Sequence, residues 1–352
     1  MSVPLSTPIR GASSAWRDEV PLRVKMRNTI GQTFGWVCGG STWFGLVVLI
    51  VLLIGVSYKA WGWLDWQFLT SFDSYRPKRA GLLAGLWGSL WLIVLTTMIS
   101  VPVGVGAAVY LEEYARGTWL TRLIRLNIAN LAGIPSIVYG ILGLTVFVRM
   151  FGLFDNRQHN LIERLAAGII RPVADLLHIP LPLGNTVLAG ALTLSLLVLP
   201  VIIISTQEAL RAIPASIRHG SYALGATKWQ TIRHQVLPAA VPGILTGVIL
   251  ALSRAIGETA PLVIIGVPAY LAATPGNIAS LQDLVANPIG LVKAPVTSFT
   301  ALPMIVFNWV RQAKPEFQNL ASAGIVVLMG LLLLMNSIAI LVRQRFQKRI
   351  RW

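Results

Sequence analysis

The chain has 352 residues, of which 55% are hydrophobic and 12% are charged, with a mean hydropathy of +0.69. Soluble domains carry about 25% charged residues, so this composition excludes an ordinary soluble protein and predicts an integral membrane protein. The formal net charge of +16 does not indicate nucleic-acid binding, because the basic residues lie mostly at the ends of apolar runs. That placement is typical of contact with the anionic inner surface of a membrane.

Several classes of functional site are disfavoured by the composition. A single cysteine, Cys38, excludes an intramolecular disulfide framework. The histidines are not grouped with cysteine or carboxylates at metal-ligand spacing; they are His159, His178, His219 and His234. No stretch matches the Gly-rich, Lys-containing loop that binds nucleotide phosphates. We therefore expect no metal and no cofactor on this chain, and no enzymatic activity; any ATP would be hydrolysed by a partner.

The predicted elements begin after a polar, basic segment, residues 1–35, which predicts a flexible tail. Six apolar runs follow, and each reaches the roughly 20 residues that cross a hydrocarbon core of about 30 Å. They cover about 36–58, 85–111, 128–150, 184–206, 239–266 and 323–342. We expect an all-α membrane protein with a first transmembrane helix and external loop over 36–80, a main transmembrane domain over 81–342, and a basic tail over 343–352.

The basic residues predict the orientation of the six spans. One side of the membrane would hold 17 of the 29 Lys and Arg residues, in both tails and in the connections 112–127 and 207–238. The other side would hold 11, in 59–84, 149–183 and 267–322. The more basic side belongs in the cytoplasm, so both termini are predicted to be cytoplasmic.

Four prolines interrupt the apolar runs: Pro102, Pro135, Pro200 and Pro261. Each removes a backbone donor and kinks its helix unless neighbouring groups repair the loss. Together with many glycines they predict close-packed, discontinuous helices, either for packing alone or for a transport path. The long connections 149–183 and 267–322 have room for short interfacial helices.

The connection 207–238 is too long to be a simple turn. Apolar residues recur in it at mixed helical spacings, and Gly225 separates two short helical pieces, where a left-handed backbone costs little. Pro238 is predicted to end the segment and start the next span. A basic amphipathic segment of this kind suits either the lipid headgroups or a docking partner.

Several motifs resemble a known family. The spacing from Gly225 to "LP" at 237–238 resembles the coupling loop of bacterial ABC-importer permeases, although the family's Glu-Ala-Ala is replaced by His-Gly-Ser at 219–221. "GVGAAVYLEEYA" (104–115), "NLAGIPSIVYGILGL" (130–144) and "LSRAIGETAPL" (252–262) resemble the PstA-type permeases of phosphate importers over roughly residues 80–342.

The resemblance implies a six-helix type I permease fold and a set of partners. These are a PstC-type sister permease, a PstB-type ATPase dimer that holds ATP and Mg, an extracytoplasmic PstS-type phosphate-binding protein, inorganic phosphate and membrane lipid. It also implies residues that contact the ATPase, namely His219, Gly220, Ser221, Leu224, Gly225, Ala226, Thr227, Trp229, Leu237 and Pro238.

Arg254 and Glu258 place two charges inside the fifth apolar run. Each costs about 2.5–3.5 kcal/mol at a bilayer centre on insertion scales, and their i, i+4 spacing lets them meet on one helix face. The pair either holds neighbouring helices in register or faces a path for an anion. In the second case the guanidinium would bind phosphate oxygens, and Glu258 would orient Arg254 or take part in anion selection.

Residues around the pair complete the predicted path. Gly257 would let another backbone approach, Pro261 would leave the carbonyl of Gly257 without its helical donor, and Thr259 would offer a hydroxyl or bond back to its own helix. Secondary candidates on the third span are Asn130, Ser136 and Tyr139, which are equally suited to bonding between helices. The alternatives for the whole chain are a permease for sulfate or molybdate, a gradient-driven transporter or channel, and a phosphate-sensing membrane protein.

Overall fold

The computed structural model describes residues 22–150, 172 and 183–349. It divides into two compact units, Met1–Tyr58 and Lys59–Trp352. The described regular structure is helical, apart from one antiparallel bridge between Thr186 and Ser298. This agrees with the expected all-α class.

The part of the chain that the structure describes contains longer and shorter helices. The longer ones are α1 (Leu22–Ala60), α3 (Leu83–Val109), α4 (Trp119–Ala132), α5 (Ser136–Gly143), α6 (Val187–Arg211), α7 (Ala215–Ala223), α9 (Leu237–Gly257), α13 (Leu302–Val310) and α14 (Pro315–Arg349). The short ones are α2 (Trp66–Thr70), α8 (Lys228–Thr231), α10 (Ala260–Ile264), α11 (Leu281–Ala286) and α12 (Pro288–Lys293). Wide π-type turns continue α3 to Tyr114 and α5 to Val148, and another joins α8 to α9.

Five of the described helices are long and apolar enough to cross a membrane, or six if the bent pair α4–α5 counts as one span. The six predicted runs are therefore all helical. One prediction was wrong. Helix α1 already begins at Leu22, so residues 22–35 are not a flexible tail. Helix α14 continues to Arg349, so most of the predicted basic C-terminal tail is helical.

The third predicted span, 128–150, is not one straight helix. Helix α4 ends at Ala132, and the chain turns by 105° before Ser136 starts α5. Pro135 explains the break, because proline has no backbone N–H and disfavours helical geometry at the residue before it. The arm Ser136–Val148 extends about 20 Å at 1.5 Å per residue, which is shorter than a full bilayer crossing.

The four prolines that the sequence singles out have two different effects. Pro102 and Pro200 lie inside the continuous helices α3 and α6. Pro135 and Pro261 lie at the starts of new helices, each just after a break. The prediction of discontinuous helices is thus confirmed at two of the four positions.

Helices α6 and α9 cross at very short range. A methyl group added at Gly243 would lie 2.8 Å from the Cβ of Ala209, and one at Gly247 would overlap the side chain of Ser205. Both pairs are spaced by four residues, so small residues on one helix receive the side chains of the other. This contact places the two ends of the segment 212–236 side by side.

The predicted connection 267–322 contains short helices, as expected. Helix α13 is its most buried part, and Trp309 on it is fully buried, with its Nε1 donating to Oδ1 of Asp73 over 3.0 Å. The other connection, 149–183, lies almost entirely outside the described residues.

Candidate functional site

The two charges of the fifth apolar run lie at a break in the helix. Arg254 is in the last turn of α9, and Glu258 follows the end of that helix with extended backbone (φ −76°, ψ 117°). The Nε of Arg254 donates to Oε1 of Glu258 over 3.3 Å, which confirms the predicted pairing. The two residues do not share a continuous helix face, however. Pro261 cannot bond to the carbonyl of Gly257 four residues earlier, and α9 ends at that glycine.

Exposure distinguishes the two partners. The side chain of Arg254 is 47% exposed and that of Glu258 is 20% exposed. A half-exposed guanidinium facing hydrocarbon would cost at least about 2.5 kcal/mol, so this face of α9 favours contact with water or a polar group. Among the described residues only Glu258 bonds to Arg254, and it uses Nε. The terminal nitrogens of the guanidinium are thus available for a further acceptor.

The residues next to the pair differ in their surroundings. No atom lies within 4 Å of the position that a methyl group on Gly257 would occupy, so the close approach expected there is not made by the described chain. The hydroxyl of Thr259 makes no hydrogen bond to any residue that the structure describes, including its own helix. Pro261 is buried in the first turn of α10.

Helix α5 packs directly against α10 beside the charge pair. A methyl group on Gly140 would lie 2.8 Å from Cα of Pro261 and 3.0 Å from Cβ of Ile264, so the glycine allows this contact. The neighbouring Tyr139 is buried, and its hydroxyl donates to the carbonyl of Leu131 over 2.7 Å, across the 105° bend.

The structure places the other two candidates of the third span on either side of the bend. Asn130 is exposed in the last turn of α4, and Ser136 is half-buried at the first position of α5. Of the three, Tyr139 is the one that is buried, on the helix α5 that packs against α10.

Sequence reasoning missed a polar contact from the last span. The hydroxyl of Ser253, which precedes Arg254, donates to Oδ1 of Asn336 on α14 over 2.7 Å. The sequence did contain an indication of this contact, because Asn336 is the only side-chain amide in the apolar run 323–342. This contact fixes α14 against the last turn of α9.

The predicted coupling segment folds as two short helices around a tight turn. Gly225 has φ +80°, which confirms the left-handed backbone predicted there. Thr227 starts α8 with a reciprocal capping box to Gln230. The hydroxyls of Ser221 and Thr231 lie 2.8 Å apart and join α7 to α8. These bonds hold the turn as a defined unit.

The candidate ATPase-contacting residues divide by exposure. Those at the tip of the coupling segment, around the turn at Leu224 and Gly225, are open to solvent, and Leu224 is 91% exposed. Ser221 and Thr227 also form side-chain hydrogen bonds within the segment, to Thr231 and Gln230 respectively. Leu237 and Pro238 lie in the first turn of α9, but the backbone is already helical from Lys228, so Pro238 does not end the segment as predicted. The other exposed positions of the set are His219, Gly220, Gly225, Thr227, Trp229 and Pro238, while Ser221, Ala226 and Leu237 are half-buried.

Comparisons with known proteins agree with these features. Residues 100–352 match the family described as "Binding-protein-dependent transport system inner membrane component". The chain is 31% identical over 300 residues to the phosphate transport system permease protein PstA of Yersinia pestis, covering 84% of each chain. It is 34% identical over 219 residues to the probable ABC transporter permease protein YqgH of Bacillus subtilis (strain 168), covering 60% of this chain and 62% of that relative, less than two thirds of its length.

A solved structure shares the fold. It is a bacterial ABC transporter involved in the import of the acidic polysaccharide alginate, which aligns with a TM-score of 0.55 over 91% of this chain and 98% of that one. The sequence identity is 14%, so the likeness concerns the fold alone.

Proposed function

The chain belongs to the family of binding-protein-dependent transport system inner membrane components, and from that membership we propose that it is the PstA-type permease subunit of an ATP-driven phosphate importer. It is an all-helical inner-membrane component with the fold of an ABC-importer permease. In this proposal it forms half of the translocation path, with both termini in the cytoplasm.

One observation carries the proposal: a half-exposed arginine at a helix break within a membrane span, held by a carboxylate. Inorganic phosphate near neutral pH is a mixture of the monoanion and the dianion, so it always carries negative charge and at least one proton. A guanidinium is always protonated, and its planar donors match two phosphate oxygens. Because Glu258 bonds at Nε, the terminal nitrogens of Arg254 remain for the anion.

Glu258 has three functions in this proposal. It holds the guanidinium in one orientation, and its negative charge weakens the attraction so that the anion is released onward. Its carboxylate also accepts a hydrogen bond from a protonated phosphate oxygen. A fully ionised anion such as sulfate has no such proton to donate, so the pair favours phosphate.

The partners follow from the family and from the exposed tip of the coupling segment. Leu224 and Trp229 present apolar side chains to solvent beside the rigid turn at Gly225. We assign this surface to a groove on the ATPase dimer, which binds ATP and Mg; this chain binds neither and catalyses no reaction. A PstC-type permease completes the path, and a PstS-type protein delivers phosphate.

The test uses the complete complex in proteoliposomes supplied with ATP and labelled phosphate. Arg254→Gln should abolish uptake while the subunits still copurify, and Arg254→Lys should retain part of it. Competition by unlabelled sulfate or molybdate should be weak. Uptake by Arg254→Gln equal to that of wild type would refute the path. Transport by this chain alone, without the ATPase, would instead support a gradient-driven carrier.

A further inference from the structure

Two adjacent glutamates, Glu112 and Glu113, lie in the π-type turn Tyr110–Tyr114 that ends α3. They belong to the motif "GVGAAVYLEEYA", and the proposed function assigns them no task. Both are paired with arginines from other helices, and both pairs lie beside the coupling segment.

Glu113 connects α3 to the coupling segment. Its Oε1 accepts from Nη2 of Arg218 over 2.7 Å and from Nε of the same arginine over 3.2 Å. The side chains of Glu113 and Arg218 are 8% and 19% exposed. Arg218 also donates to the carbonyls of Leu210 and Ile213, each over 2.9 Å, so its guanidinium joins α3, the end of α6 and α7.

Glu112 connects α6 to α4. Arg211, the last residue of α6, donates to its carboxylate from Nε and Nη2 over 2.9 Å and 3.1 Å. Arg125 on α4 lies 3.3 Å from the same carboxylate and also donates to the carbonyl of Leu111. One carboxylate is therefore shared by two helices.

These contacts form a continuous connection from the coupling segment to the charge pair. Helix α4 leads through the 105° bend into α5, and α5 packs on α10 immediately after Arg254 and Glu258. The Glu113–Arg218 pair is mostly buried, and removing one partner of such a pair is costly. Arg211 and Arg125 beside Glu112 are instead 44% and 34% exposed. In both cases the hydrogen bonds between guanidinium and carboxylate are directional. Such pairs suit a connection that must keep its register while the joined elements move.

We propose that Glu112 and Glu113 are positioning residues that transmit movement of the coupling segment to α3 and α4, and through α5 to the charge pair. This inference rests on the proposed function, in which an ATPase moves that segment. Neither glutamate contacts the substrate. Loss of the Glu113–Arg218 contact should leave the tip docked while its movement no longer reaches the path.

The experiment compares wild type with Glu113→Gln, which keeps the shape and removes the charge, and with Glu113→Asp, which keeps the charge. The control is Glu208→Gln, since Glu208 is 68% exposed and pairs with Arg211 only at 3.7 Å. For each complex in proteoliposomes, subunit assembly, crosslinking of Leu224→Cys to the ATPase, ATP hydrolysis and phosphate uptake are measured.

Glu113→Gln should assemble, crosslink and hydrolyse ATP like wild type, while phosphate uptake per ATP falls by about tenfold, within the usual range of coupling between sites. Glu113→Asp should recover most of that loss, and Glu208→Gln should match wild type. Unchanged uptake per ATP in Glu113→Gln would overturn the inference. So would the joint loss of assembly, hydrolysis and uptake in both Glu113 variants, which would make the role structural. If wild type itself fails to import phosphate, the proposed function fails instead.

Discussion

Replacing Gly140 with alanine tests whether close packing of α5 on α10 controls the charge pair. The added methyl would lie 2.8 Å from Cα of Pro261, whereas carbon atoms pack best at about 3.5–4.0 Å. Helix α10 has little room to retreat, because Leu262 within it and Ile265 directly after it are each 1% exposed in the core. Helix α5 must therefore move away and take Tyr139 with it.

The cost of this overpacking is typically about 1–3 kcal/mol, offset by about 1 kcal/mol because alanine favours helix more than glycine does. The net cost is then about 0–2 kcal/mol, and a value near 1.4 kcal/mol lowers the equilibrium ratio of the native to the displaced arrangement of α5 by about tenfold. We expect phosphate uptake in proteoliposomes to fall by about tenfold in Gly140→Ala, with assembly of the complex unchanged.

Gly106→Ala is the matched control. Gly106 also lies inside an apolar helix, but no atom lies within 4 Å of its added methyl, so its uptake should equal that of wild type. If Gly140→Ala transported phosphate as fast as Gly106→Ala, the contact between α5 and α10 would have no bearing on the path. The argument from close packing would then be wrong.

Two further predictions concern Asp73 and the coupling turn at Gly225. Burial raises the pKa of Asp73 to about 6, despite its hydrogen bonds from Trp309 and Ser74. Because the folded-state pKa exceeds the unfolded value, the folded protein binds more protons between pH 3.8 and 6, and stability falls as pH rises through that window. Asp73→Asn should remove this loss of stability, which is at most about 3 kcal/mol. The thermal unfolding midpoint of the variant should therefore exceed that of wild type at pH 7.5 and approach it at pH 4.5. An equal difference between the two proteins at both pH values would contradict the raised pKa of Asp73. Gly225→Ala places a side chain at φ +80° and should cost about 1–2 kcal/mol, lowering ATP-driven uptake, whereas Gly106→Ala inside α3, outside the coupling segment, should not. Equal uptake by the two variants would show that the left-handed turn is dispensable.

Much of this fold could be predicted from local sequence. The apolar runs gave the helices, because burial in lipid depends on composition over about 20 residues. The pairing of Arg254 with Glu258 and the left-handed Gly225 followed from spacing and residue type. The break after Gly257 was harder to place, since the apolar pattern continues through it, although Pro261 signalled it.

Other features depend on contacts between distant parts of the chain. The 105° bend lies inside an apolar run, so hydropathy averaged over the run hides it; Pro135 was the local signal. Glu112 and Glu113 bond to arginines 99 and 105 residues away, and no periodicity reports such a pairing. The coupling segment was predicted as a docking element, but the ion pairs that anchor it required the structure.

The tight crossing of α6 and α9 has a mechanical consequence. Because the side chains of Ser205 and Ala209 sit against Gly247 and Gly243, the two helices cannot slide past each other by a fraction of a turn without collision. A rotation of one helix would therefore carry the other with it, together with the segment between them. The helical hydrogen bonding of α9 is already interrupted at Glu258 and Thr259, so a change in its angle would be absorbed there most easily. Glu258 thus lies at this break and also supplies the carboxylate that holds Arg254. A rotation of α6 and α9 would therefore change the orientation of the guanidinium directly.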